Sequence, residues 1–184
     1  KTKPHWYVIS LLSGMIGVAL VFSFGGIVAN EAYWQKDWDQ RVTKVFEELA
    51  RPFEDRTYIS GRGDTLNYLF LKPLNYDSAK KYPLVVCLHG GTWMVPAEKR
   101  HVEVAAPAPL LTKPENREKY PAFLFVPQAP VGYSWGGFPG FPAADSLVVE
   151  AIYALEEEFA VDQNRRYVAG GSGGGSEPKP RPSF

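Results

Sequence analysis

Three short segments of the chain are mainly apolar without alternation: residues 84–88, 122–126 and 166–169. Each is followed by glycine or proline within two residues. Unbroken apolarity of this kind is typical of parallel strands that are buried on both faces of a sheet. We therefore predict that these segments are buried strands of one sheet.

Residues 143–159 have the spacing of a helix that packs one face against this sheet. Leu147, Ile152 and Leu155 fall on one side, and we expect the acidic run 156–158 to face water. Parallel strands that alternate with helices predict a layered α/β domain.

Two further features lie before and after the first predicted strand, residues 84–88, in the chain. Residues 57–60 and 65–72 predict a hairpin, in which the two glycines and the aspartate of the intervening turn supply positive φ angles. Residues 92–121 contain five prolines, and we expect one short irregular helix around residues 98–105 within a functional loop.

The N-terminal region is long and uncharged between residues 6 and 29. A helix of that length measures about 36 Å, which is enough to cross a hydrocarbon core of about 30 Å. Lys1 and Lys3 precede it, whereas Glu31 and Asp37 follow it. The positive-inside rule then predicts a cytoplasmic N-terminus and an extracytoplasmic domain.

A cleaved signal peptide is the alternative for residues 1–30. The apolar core of a signal peptide is about 7–15 residues long, which is shorter than this run. Residues 27–29 form only a mediocre cleavage site. We favour the uncleaved signal-anchor; both alternatives export the domain, which is then either membrane-anchored or secreted.

Residues 31–52 follow as a juxtamembrane amphipathic helix that Pro52 ends. Its apolar stripe is spaced by three and four residues and comprises Trp34, Trp38, Val42, Val45, Phe46 and Leu49. The stripe can lie on the membrane, pair with a second copy or pack on the domain, and we favour the last. The α/β domain then spans residues 53–175, and a proline-rich tail spans residues 176–184.

The composition argues against several kinds of partner and site but does not identify the function. Lys+Arg and Asp+Glu are 20 each and no basic stripe is evident, so nucleic acid is not an expected partner. One cysteine, Cys87, cannot form an internal disulfide, and it is expected to be a small core residue. With three scattered histidines the sequence indicates no metal site, and no cofactor is implied.

The strongest chemical motif is the G-x-S-x-G pattern of residues 170–174, directly after the third predicted strand. In this pattern a serine occupies a sharp, strained turn, and glycines give it room. We predict that Ser172 is a nucleophile and that the backbone N–H of Gly173 meets a developing oxyanion. We refer to residues 170–174 as the elbow.

A second oxyanion donor is expected from the His89-Gly90-Gly91 loop after the first predicted strand. We assign this role to the backbone N–H of Gly91, with Thr92 as the adjacent alternative. A flexible Gly-Ser tail and a phosphate-binding loop are less favoured explanations of the glycine-rich elbow.

Residues 57–175 resemble the α/β-hydrolase superfamily, and most of all its secreted carboxylesterases, which include feruloyl esterases, polyhydroxybutyrate depolymerases and predicted peptidases. The matching pieces, in order, are residues 82–91, 120–123, 127–130 with Trp135, and 161–172. The resemblance implies a doubly wound, mostly parallel sheet and a serine hydrolase acting on small-molecule or polymer esters. It also implies that His89 is structural.

The sequence departs from this family after the elbow. An Asp or Glu and then a His should follow the nucleophile, yet none of the twelve residues after Ser172 is His or Asp. We therefore expect the chain as given to be an incomplete, inactive N-terminal part of an esterase, with strand 166–169 at a sheet edge. The alternative is a non-catalytic, membrane-anchored binding domain or remnant.

Overall fold

The computed structural model describes residues 44–45, 47–90, 105, 107–137 and 139–175. The chain divides into two units, Lys1–Lys44 and Val45–Phe184, and the elements below belong to the second. Within the described residues, no helix has the length and apolarity needed to cross a membrane. The span predicted at residues 6–29 and the tail at 176–184 lie outside them.

Five strands form one sheet: β1 (Glu54–Ile59), β2 (Thr65–Leu71), β3 (Tyr82–Leu88), β4 (Phe123–Pro127) and β5 (Val161–Gly170). Their order across the sheet is β1-β2-β4-β3-β5. Strand β2 is antiparallel to β1 and β4, whereas β3 is parallel to β4 and β5. Four of the five strands therefore point the same way, which confirms the predicted mostly parallel α/β sheet.

The described helices are α1 (Ala108–Leu111), α2 (Pro114–Lys119) and α3 (Asp145–Glu158), and Ser172–Gly175 forms a 3₁₀ turn. Helix α3 confirms the helix predicted over residues 143–159. Helices α1 and α2 occupy a stretch that was expected to be loop. The short helix expected around residues 98–105 lies outside the described residues except for Ala105.

The central strands are buried on both faces, as their unbroken apolarity predicted. All five residues of β4 are buried. Phe123 and Phe125 pack in one cluster with Leu155 of α3. Leu124 and Val126 point the other way and share a second cluster with α1 residues. Because successive side chains of a strand alternate between faces, this pattern requires cover on both sides of the sheet.

The segment that leads into β1 packs on this second cluster. Residues 47–50 are helical, and Ala50 and Phe53 are buried beside Leu69 and Leu71 of β2. The last turn of the predicted amphipathic helix therefore packs on the domain. Most of the apolar stripe of residues 31–52 lies outside the described residues.

Strand β5 differs from the prediction that residues 166–169 are buried. Tyr167 and Val168 are 54% and 67% exposed. The reason is position, because β5 is the outermost strand of the described sheet and pairs only with β3. The same residues were expected to form a sheet edge, and within the described part of the chain they do.

Two smaller expectations are also wrong. Glu156 does not face water: its side chain is 4% exposed and accepts hydrogen bonds from both Nε and Nη2 of Arg166. In the β1–β2 turn only Gly63 has a positive φ, of 88°. The hydroxyl of Ser60 orders the rest of that turn by accepting hydrogen bonds from the N–H groups of Arg62 and Asp64.

Candidate active site

The site lies where β3 and β5 end side by side. The parallel register pairs Cys87 with Ala169 and Leu88 with Gly170. The segments that follow the two strands therefore leave the sheet at the same edge. In parallel α/β sheets, ligands bind at this carboxyl edge of the strands.

Ser172 has an unusual backbone conformation. Its φ angle is 54°, and within the described residues Asn75 is the only other non-glycine residue with a positive φ. The left-handed conformation costs a residue with a side chain about 1–2 kcal/mol. The residue is exposed, at the start of a turn in which the Gly174 N–H donates to the Gly171 carbonyl over 3.0 Å. A strained, exposed serine directly after a strand is the geometry that the G-x-S-x-G motif predicts.

The elbow glycines differ in the space around them. A Cβ atom on Gly170 would overlap the carbonyl oxygen of Gly174, and one on Gly174 would overlap the carbonyl oxygen of Leu88. A Cβ atom on Gly171 would meet nothing within 4 Å. The outer glycines of the motif are therefore required by close backbone packing, and Gly171 is not.

The loop after β3 touches the elbow through Gly90. A Cβ atom built on Gly90 would lie 2.9 Å from the carbonyl oxygen of Gly171 and 3.1 Å from Cβ of Ser172. It would also lie 3.7 Å from the backbone nitrogen of Gly173. The structure thus brings Gly90 together with Ser172 and Gly173, two of the predicted site residues. Gly91 and its alternative Thr92 lie outside the described residues.

His89 is fully buried and held at several atoms. Its ring Nε2 accepts a hydrogen bond from the Ala129 N–H over 3.1 Å, and its Nδ1 lies 3.1 Å from the Gly90 carbonyl oxygen. Its own carbonyl oxygen accepts a hydrogen bond from Trp135 Nε1–H over 2.8 Å. Burial holds the pKa of His89 below its usual range, so the ring stays neutral.

This environment assigns His89 a structural position, in line with the resemblance. An Nε2 atom that already accepts a backbone hydrogen bond cannot take a proton from a serine hydroxyl without breaking that bond. The hydrogen bond from Trp135 to His89 was not predicted, because the two residues are far apart in the chain.

The remaining candidate chemistry is limited. Burial raises the pKa of Cys87 to about 12, so its thiol is not a nucleophile at neutral pH. In the part of the chain that the structure describes, no group of three His, Cys, Asp or Glu side chains is arranged to hold a metal ion.

No protein-family model matches the sequence, and no curated protein matches it. The fold is nevertheless similar to that of a thermostable esterase, with a TM-score of 0.60 and 28% identity over 69% of this chain. The chain has the fold of the α/β-hydrolases. It also resembles a ferulic acid esterase (TM-score 0.50, 22% identity, 67% of this chain) and a bacterial heroin esterase (TM-score 0.51, 20% identity, 76% of this chain).

These α/β-hydrolase structures are longer than the chain. The matched region covers 36% of the thermostable esterase, 51% of the ferulic acid esterase and 42% of the heroin esterase. The neighbours named here are esterases, and the chain shares part of their fold.

Proposed function

We propose that the protein is a serine ester hydrolase that works through an acyl-enzyme on Ser172. The observation that carries the proposal is the positive φ of this serine, at the carboxyl end of β5 and beside Gly90. Strain of this kind is retained where it positions a reactive group. The similarity to a thermostable esterase supports the same reaction class.

The reaction runs in two steps. Oγ of Ser172 attacks the ester carbonyl carbon and loses its proton to a general base, and the alcohol then leaves with a proton. Water attacks the acyl-enzyme in the same manner and releases the acid. The N–H groups of Gly173 and Gly91 are assigned to the oxyanion, and such donors each contribute about 2.7–4 kcal/mol.

The general base has no residue assigned to it. His89 is engaged through Nε2 and buried, and His5 and His101 lie outside the described residues. The substrate is assigned only as an ester, either a small molecule or a polymer. The charge pattern around residues 6–29 supports export, with the domain anchored outside the cytoplasm or released by cleavage.

A fluorescent fluorophosphonate tests the proposal on the protein expressed from its own gene in full. Attack of the Ser172 hydroxyl on phosphorus displaces fluoride, so we expect one label, mapped to Ser172 by peptide mass spectrometry. Ser172→Ala removes the hydroxyl and should abolish labelling. Ser146→Ala, at the exposed start of α3, is the matched control and should label normally.

Labelling that persists in Ser172→Ala would refute the assignment. A folded wild-type protein that takes up no label would favour the non-catalytic binding domain instead. The labelled protein should sediment with membranes if the anchor is retained, or enter the medium if it is cleaved. Its recovery in the cytosol would contradict export.

A further inference from the structure

Two residues after β4 donate hydrogen bonds to His89, the residue that follows β3. Ala129 donates its N–H to the ring of His89, and Trp135 donates its indole N–H to the main chain of the same residue. The two donors therefore fix both the side chain and the backbone of His89. We call these two hydrogen bonds the His89 clamp.

The clamp is buried and well packed. Trp135 is 3% exposed and Ala129 is 2% exposed, and both belong to the apolar cluster under α3. The indole and imidazole rings meet edge to face, with centroids 5.0 Å apart and an interplanar angle of 71°. A buried carbonyl and a buried ring nitrogen need partners, and the clamp supplies them.

The clamped residue lies in direct contact with the elbow. A Cβ atom on Gly174 would lie 3.0 Å from the His89 carbonyl oxygen, the atom that accepts the indole N–H. The next residue, Gly90, faces Gly171 and Ser172. Strand β3 ends at Leu88, so the β3–β5 ladder does not extend to His89 or Gly90.

We propose that Trp135 is a positioning residue, which sets His89 and Gly90, the described start of the loop after β3, against Ser172 through the His89 carbonyl. The proposal rests on the proposed function, because the loop matters for catalysis only if Ser172 is the nucleophile. Oxyanion donors act only when they are held in place before the reaction, and displacements of about 1 Å can cost about 100-fold in rate. Trp135 thereby acts on the transition state without touching substrate.

Trp135→Phe tests this role because it keeps an aromatic ring and removes the indole N–H. In the protein expressed from its own gene in full, we expect kcat for p-nitrophenyl acetate to fall about tenfold or more with KM nearly unchanged, since a misplaced oxyanion donor weakens binding of the transition state and not of the substrate. Amide hydrogen exchange at residues 89 and 90 should become faster. The matched control is Tyr76→Phe, which deletes the hydroxyl that accepts from Ala160 N–H at the amino end of β5.

The control should leave kcat and the exchange at residues 89 and 90 unchanged, although it also removes one hydrogen bond to the backbone. Unchanged exchange and unchanged kcat in Trp135→Phe would overturn the proposal, as would an equal loss of kcat in both variants. If the wild-type protein neither hydrolyses the ester nor is labelled at Ser172, the proposed function fails. The exchange measurement then decides by itself whether Trp135 holds the loop.

Discussion

The two glycine-rich turns of this domain look alike in sequence and differ in what they demand. In the β1–β2 turn, Gly63 has a φ of 88° and a Cβ atom there would meet nothing within 4 Å. In the elbow, Gly170 and Gly174 have no room for a Cβ atom, and the positive φ falls on Ser172 instead. The hairpin turn therefore needs glycine for its conformation, and the elbow needs glycine for its lack of volume.

This difference follows from what surrounds each turn. Residues 61–64 of the hairpin turn are exposed, and the turn is ordered from within by the hydroxyl of Ser60. The elbow is pressed against the end of β3, where the carbonyl of Leu88 lies beside Gly174. The sequence has glycine at both turns. It does not show whether a positive φ angle or a lack of space for a side chain is the reason.

The largest expected effect is that of Gly174→Ala. Its Cβ atom would overlap the Leu88 carbonyl oxygen, and overpacking of this kind costs about 1–3 kcal/mol. We expect a loss near the upper end, because the clashing atom belongs to the backbone, together with loss of Ser172 labelling. Urea unfolding of the full chain measures the loss of stability. Gly171→Ala is the control, with an expected change within about 0.5 kcal/mol.

A Gly174→Ala protein as stable as Gly171→Ala would contradict crowding as the reason for the motif. The elbow would then resemble the hairpin turn, and the comparison between the two would be wrong.

Gly63→Ala should have a smaller effect. Alanine in the left-handed region costs about 1–2 kcal/mol, and no steric overlap adds to it. Because the turn is remote from the elbow, the rate of Ser172 labelling should not change. Gly61→Ala, at a position with open space and no positive φ, should be nearly neutral in the same urea titration. Equal losses at both positions would show that φ is not the cause.

The smallest effect concerns the strained serine itself. Glycine tolerates a positive φ and alanine does not, so Ser172→Gly should be more stable than Ser172→Ala by about 0.5–1 kcal/mol. Both variants lose the hydroxyl and should lose fluorophosphonate labelling. Identical unfolding midpoints for the two variants would argue that the turn around Ser172 is relaxed in solution.

Much of the sheet could be predicted from residue types alone. The unbroken apolar runs of β3 and β4 give their burial on both faces, because no polar side chain marks a solvent side. Burial of β5 was predicted wrongly because exposure of a strand depends on its neighbours as well as on its own residues. The same holds for Glu156, whose burial depends on the guanidinium of Arg166.

Only part of the candidate site could be predicted from residue types and local patterns. The motif places Ser172 on a strained turn, since the pattern is local and its spacing carries the geometry. The contacts of His89 are not local: Ala129 is 40 residues away and Trp135 is 46 residues away in the chain. Such contacts follow from how strands β3 and β4 are placed, and a single sequence does not encode that placement in any short pattern.

The burial of Cys87 has one consequence for the export that we propose. An unpaired thiol in an oxidising compartment can join two molecules, and exported proteins with one cysteine run that risk. Here the sulfur lies inside the sheet, fully covered, with its pKa raised to about 12 by desolvation. Very little thiolate exists to attack a second molecule, so we expect the folded protein to form no intermolecular disulfide through Cys87, and only the unfolded form exposes this thiol.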